Sequence, residues 1–145
     1  MLRLEAEGWR AIEHTLNGLT PEELERPGLN ADGWSIKDLL WHLGVWHEEA
    51  ARVIVGRAWD VDSAALEPDW VDRVNADGLA QGRDMDLDHV REVGRERRAG
   101  MLAAFGALEE TPPPAEEWFE ESGTVHYVEH ADDLARWSER LRSQG

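Results

Sequence analysis

The chain contains no cysteine. That one absence removes disulfides, thiolate metal ligands and cysteine nucleophiles together, so any thiol chemistry must use a thiol supplied from outside. Positive charge is scarce as well: 15 Lys and Arg stand against 31 Asp and Glu, a formal net charge of -16. Such a balance repels phosphate backbones and anionic lipid headgroups, and it argues against nucleic acid and membrane surfaces as partners. Lys37 is the single lysine among fourteen arginines, which reads as compositional bias rather than function. No apolar run approaches the roughly 20 residues needed to span a bilayer. The first residues, Met1 to Glu7, lack a signal peptide's apolar segment, and the expected compartment is the cytoplasm. No stretch of β-branched alternation is present, so no strand is expected.

What the chain does have is enough length for one domain and an unusual large side chain. At 145 residues it can bury about 70% of its unfolded surface, and residues 1–145 read as a single domain. Tryptophan occurs eight times, whereas Phe and Tyr together number three. Indole is either the bulk filler of the core or, in part, the wall of a ligand pocket.

The periodicity is helical throughout. Leu2, Glu5, Trp9, Ile12, Leu16 and Leu19 recur every three or four residues, the stripe of an amphipathic helix that ends near Asn17-Gly18. Thr20-Pro21-Glu22-Glu23 is an N-cap, a proline in the first turn and two acids, and it starts a short helix. Ser35, with Asp38 three residues on, caps a second long helix of about 33 Å that runs to Gly56. The segment Glu67 to Asn75 reads as a short helix inside a long connection. A third long helix is expected from about Asp88 to Leu108, stopped by Thr111-Pro112-Pro113-Pro114. Glu116 to Glu121 reads as an acidic loop, and the last helix as starting at Ser122 to Thr124 and reaching Leu141. The expected fold is all-α, an antiparallel four-helix bundle with a long connection, Gly56 to about Leu87, between the second and third long helices.

Three histidines fall on inward faces of that bundle. His42 lies on the stripe Leu39, Leu43, Trp46 of the second long helix, and His126 and His130 share a face with Leu134, Trp137 and Leu141 of the last. Residues at i and i+4 stack over one another, so His126 and His130 project side by side. A third imidazole facing them completes a three-nitrogen set with open positions, suited to activating water or a thiol. All three stand near helix starts, which requires those two helices to run roughly parallel. Taken singly, His42 reads more readily as a core histidine with one satisfied ring nitrogen than as a ligand. Burying three imidazoles without a common partner, however, leaves polar groups to satisfy. His14 falls off its stripe, His47 is too far around the helix from His42 to share an ion, and His89 sits at a helix start unfavourable to an imidazolium.

Periodicity also nominates supporting residues. Glu49 follows His42 by seven residues and Asp133 follows His126 by seven, so each returns to its histidine's face as a candidate acceptor for the second ring N–H. Each reads equally well as a solvated acid at the edge of the face. Arg97 interrupts an apolar stripe, either to hold an anionic substrate group or to snorkel at the bundle end.

The segments Gly33-Trp34-Ser35-Ile36-Lys37-Asp38-Leu39-Leu40-Trp41-His42-Leu43 and His126-Tyr127-Val128-Glu129-His130-Ala131-Asp132-Asp133-Leu134 resemble the two signatures of the DinB-like superfamily, which includes the mycothiol-dependent maleylpyruvate isomerases. Val71 to Ala76 is also similar to members of that group. The resemblance covers nearly the whole chain. It implies a four-helix bundle, frequent homodimers, and a divalent metal ion, nickel or zinc, held by His42, His126 and His130. It further implies a metal-dependent thiol transferase or isomerase using a low-molecular-weight thiol of the mycothiol or bacillithiol type; a hydrolase would need only water. Two other readings stand beside it: a non-catalytic module holding a small molecule or metal, and a structural dimer whose histidines are core.

Overall fold

The structure is a computed structural model that describes residues 1–60 and 69–144, and within them every regular element is helical. Seven α-helices follow in order: α1 (Leu2–Leu16), α2 (Pro21–Glu25), α3 (Ile36–Gly56), α4 (Trp70–Gly82), α5 (Leu87–Gly106), α6 (Pro113–Ser122) and α7 (Thr124–Gln144), with a 3-10 turn at Ala58–Asp60 after α3. The caps form as their residue types dictate. Thr20 and Glu23 close a reciprocal box at α2, and Ser35 and Asp38 close one at α3, where the Ser35 N–H donates to Asp38 Oδ2 at 2.9 Å. At α5 the Asp86 carboxylate accepts from the His89 N–H at 2.9 Å.

Two elements differ from expectation. The short helix foreseen over Glu67 to Asn75 continues to Gly82 as α4; Glu67 and Pro68 lie outside the described residues. The acidic stretch after the prolines is not a loop but α6. Prolines end a preceding helix yet fit the first turn of a new one, and Pro113 opens α6. Ala115 and Phe119, four residues apart and both buried, give α6 its inner face. The chain breaks between α6 and α7 at Gly123. A Cβ there would stand 2.9 Å from the Phe119 carbonyl oxygen and 3.3 Å from Glu5 Cγ, so only glycine passes.

The relative directions of the long helices follow from their contacts. Lys37 Nζ, at the start of α3, donates to the carbonyls of Met85 (2.8 Å) and Arg83 (3.3 Å) just before α5. Gly44 lies against Gly94 and Arg97 midway, and Ala50 and Ile54 share a core cluster with Met101 and Phe105 near the far end. Hence α3 and α5 run parallel. The same holds for α1 and α7: Glu5 meets Tyr127 at their starts, and Arg142 Nη2 donates to the carbonyls of Thr15 and Asn17 at their ends.

Between the two pairs the direction reverses. Gly28, ahead of α3, lies against the Trp137 ring in the second half of α7, while His47, midway along α3, reaches Tyr127 in the first turns of α7. The expectation that the second and last long helices run roughly parallel is therefore overturned. Nor do the four long helices simply alternate, since the second and third share a direction. The connection between them must return along about 31 Å of α3, which is why it is long, and α4 packs on α3 along that return.

Two clusters fill the interior. The larger joins Ile36, Leu39 and Leu43 of α3 to Leu134 and Leu141 of α7, and the smaller joins the end of α3 to α5 and Phe119. α3 is the central element, packed on α4, α5 and α6.

Candidate functional site

His42 sits two turns into α3 and His126 in the first turn of α7, and the opposed directions of the two helices bring them face to face. Their Nε2 atoms stand 2.8 Å apart. His130, one turn further along α7, completes a nearly equilateral triangle with ring-centroid separations of 4.8, 5.2 and 4.9 Å. One ligand nitrogen from each ring lies within 4.8 Å of the others. His42 and His126 are buried and His130 is partly so.

Burial makes these imidazoles poor bases. Desolvation, helped by His130, pushes His42 down to about 4. Desolvation followed by the charges of His42, His130 and His47 pushes His126 down to about 3, against a hydrogen bond to the Ser122 backbone that works the other way. His130 is lowered by burial too, opposed by Glu129 and Asp133. All three are neutral at pH 7, the form that ligates metals.

The donor set fits a divalent ion. Three nitrogens at about 2.0–2.1 Å from one ion stand roughly 3–3.5 Å apart, and the observed separations bracket that range, from 2.8 Å between two of the nitrogens to 4.8 Å at most across the set. The bond to the Ser122 backbone occupies the other nitrogen of His126, because its Nε2 already faces His42. Ligating histidines usually spend their second nitrogen in this way.

The histidines form the floor of a large cleft. Its volume is about 1390 Å³, and its walls include Trp34, Trp46, Trp70 and Trp118. Trp34 packs on His42 with ring centroids 5.0 Å apart. Some of the eight tryptophans thus wall a cavity, while Trp41 and Trp137 are core.

A scan against protein-family models matches residues 6–135 to the mycothiol maleylpyruvate isomerase N-terminal domain. The chain belongs to that family. The match spans both histidine segments and most of the fold, in agreement with the DinB-like resemblance of the sequence. No curated protein and no solved structure matches the chain.

The supporting residues named from periodicity are placed elsewhere. Glu49 binds Arg52 at 2.7 Å rather than a histidine. Asp133 pairs with Arg136 at 2.7 Å and reaches His130 through its charge alone. Arg97 does not line the cleft; it lies 4.5 Å over the Trp41 ring and binds Glu48 at 3.0 Å in the seam between α3 and α5. Seven-residue spacing returns a side chain to its face but two turns away, about 10 Å along the axis. That distance exceeds the reach of a carboxylate to the same imidazole.

A second buried polar group escaped the sequence reading. Glu5, with no exposed surface, receives two hydrogen bonds of 2.7 Å from Arg98 and one of 2.8 Å from the Tyr127 hydroxyl. Tyr127 in turn meets His47 Nε2 at 2.7 Å. Since the hydroxyl proton goes to Glu5, His47 donates from Nε2, which leaves its Nδ1 buried without a partner. Burial, with the Arg98 charge adding, pushes His47 down to about 3. Burial first, then Glu5, raises the Tyr127 hydroxyl. The signal was present in the sequence: Glu5 sits on the apolar stripe of α1, where a carboxylate requires a partner.

Proposed function

We propose that the chain is a metal-dependent enzyme of its family in which His42, His126 and His130 hold one divalent ion, zinc or nickel, at the floor of the tryptophan-walled cleft. The observation that carries the reading is the convergence of three imidazoles, two buried and one partly so, on one point open to a cavity. When bound, such an ion lowers the pKa of a coordinated thiol or water and supplies a nucleophile near neutral pH. The chain contributes three neutral nitrogens and leaves further coordination positions free. It orients His126 through the Ser122 backbone, packs Trp34 on His42 and lines the cleft beside the histidines with indole.

Without a cysteine of its own, the protein takes its thiol from a low-molecular-weight cosubstrate, and family membership favours a thiol-dependent transferase or isomerase over a hydrolase. The four long helices act as the bundle that sets the donors. Charge and composition point to a cytoplasmic protein acting on a small molecule, without nucleic acid or membrane.

Metal analysis of protein purified without a histidine tag tests this. About one equivalent of zinc or nickel is expected in the wild type, together with a rise in melting temperature on loading, and both are expected to vanish in a His42→Ala/His130→Ala variant. Substoichiometric metal, with no change in stability on adding the ion, would sink the proposal.

A further inference from the structure

The three histidines account for the floor of the cleft and leave its walls and rim unexplained. Trp46, Trp70 and Trp118 stand in a row along one wall, each roughly perpendicular to the next, with ring centroids 5.7 and 6.4 Å apart and interplanar angles of 82° and 78°. All three are partly buried, and all three line the cavity. The indole N–H of Trp46 donates to Asn75 Oδ1 at 2.8 Å, which fixes that ring against α4. An indole face left uncovered by a neighbouring ring attracts a positive charge.

The rim has the same sign. Asp32, Asp72, Glu117, Glu121 and Glu129 line the cleft and are exposed at its mouth. Among the described lining residues the one permanent cation is Arg52, whose guanidinium already binds Glu49 at 2.7 Å. A divalent ion on the floor would diminish the excess of five carboxylates over one arginine without reversing it. A dicarboxylate entering this cleft meets no uncommitted cation on the described walls.

We infer that the cleft takes an organic cation, a protonated or quaternary amine carried on a flat or branched apolar body. This rests on the cleft being the substrate pocket of the histidine site, and it names the class of compound the pocket selects. Indole faces hold the ammonium group, the carboxylates of the rim draw it in, and the apolar body fills the space toward the histidines. The overall charge of -16 attracts any cation at long range, but salt at about 0.15 M screens that attraction beyond roughly 8 Å. Contacts inside a walled cleft are screened much less.

The experiment uses three probes with one ring and three charges: benzyltrimethylammonium, benzyl alcohol and benzoate. Binding is followed by calorimetry and tryptophan fluorescence at 0.15 M salt, on metal-free and on zinc-loaded protein. The quaternary cation is expected to bind at least tenfold more tightly than the alcohol, with benzoate weakest. Trp70→Leu should weaken the cation about tenfold and Trp70→Phe much less, because a ring face remains; Glu121→Gln should weaken it severalfold. Far-UV circular dichroism checks that each variant is folded. Benzoate binding as tightly as the cation would overturn the inference. So would cation binding indifferent to both Trp70 variants, since that is attraction to the surface at large. The metal-free measurement makes the outcome independent of metal stoichiometry, so this inference and the proposed metal site can fail separately.

Discussion

Removing the guanidinium of Arg98 should cost far more than neutralising the carboxylate it binds. In Arg98→Met the Glu5 carboxylate stays where it is, with no exposed surface, and keeps one hydrogen bond of 2.8 Å from Tyr127 in place of three. Stranding one member of a buried ion pair costs about 3–5 kcal/mol. That is a large share of the roughly 5–15 kcal/mol that holds a domain folded. At about 2–4 °C per kcal/mol for a chain of this size, the melting temperature should fall by roughly 6–20 °C.

In Glu5→Gln the stranded group is Arg98, whose side chain is 22% exposed and lies 5.1 Å over the Trp9 ring. It recovers water and keeps its stacking partner, so the loss should be only about 1–2 kcal/mol. The double variant Arg98→Met/Glu5→Leu removes both charges and lets the Tyr127 hydroxyl donate to His47 instead. It should regain at least half of what Arg98→Met loses. Equilibrium unfolding in urea at pH 7, on protein stripped of metal with a chelator, reads all three. A Glu5→Gln loss equal to or greater than that of Arg98→Met, or a double variant no more stable than Arg98→Met, would refute the reasoning.

Two further expectations concern pH and packing. His42, His47 and His126 are held down to about 4, 3 and 3 in the folded state, whereas the unfolded chain binds those protons near 6.5. Stability of the metal-free protein is therefore complete above pH 6.5 and lost as pH falls through 6 and 5, with a slope of at most roughly 4 kcal/mol per pH unit. Urea midpoints that stay level from pH 6.5 to 4.5 would contradict the burial of neutral imidazoles. At Gly82, a Cβ would come within 2.4 Å of the Trp41 ring, whose indole also carries the Arg97 guanidinium at 4.5 Å. Gly82→Ala should therefore lower stability by about 1–3 kcal/mol through overpacking of α4 on α3. The helix propensity of alanine alone would raise it by nearly 1 kcal/mol, so a rise in the thermal midpoint shows that α4 is free to move away.

Local chemistry was legible in the sequence and axial placement was not. Ser35 and Asp38 bond to each other across three residues, so the start of α3 could be read from four letters. His126 and His130 were readable as a pair because one helical turn joins them. Helix α6 was hidden because its inner face amounts to little more than Ala115 and Phe119, set among acids and preceded by prolines that read as a stop. The relative direction of α3 and α7 is hidden for a different reason. Proximity to a helix start does not set a common level: α7 begins opposite the middle of α3, and its second half extends past the start of α3 along the Gly28 segment.

The network around Glu5 explains how two adjacent residues of α7 serve different parts of the molecule. Consecutive side chains on a helix diverge by about 100°, so His126 faces His42 at 2.8 Å while Tyr127 turns toward Glu5 and His47 at 2.8 and 2.7 Å. Rotation of α7 about its own axis would break one set of contacts as it tightened the other. The Tyr127 hydroxyl, bonded on both sides and buried, therefore fixes the azimuth at which His126 and His130 meet His42. The geometry of the three histidines depends in this way on Glu5 and Arg98, which touch none of the three and lie on helices the site does not use. A reading confined to histidine spacing could find the donors. It could not find what aims them, because the partners are 93 and 122 residues apart in the chain and meet only when α1, α5 and α7 are packed.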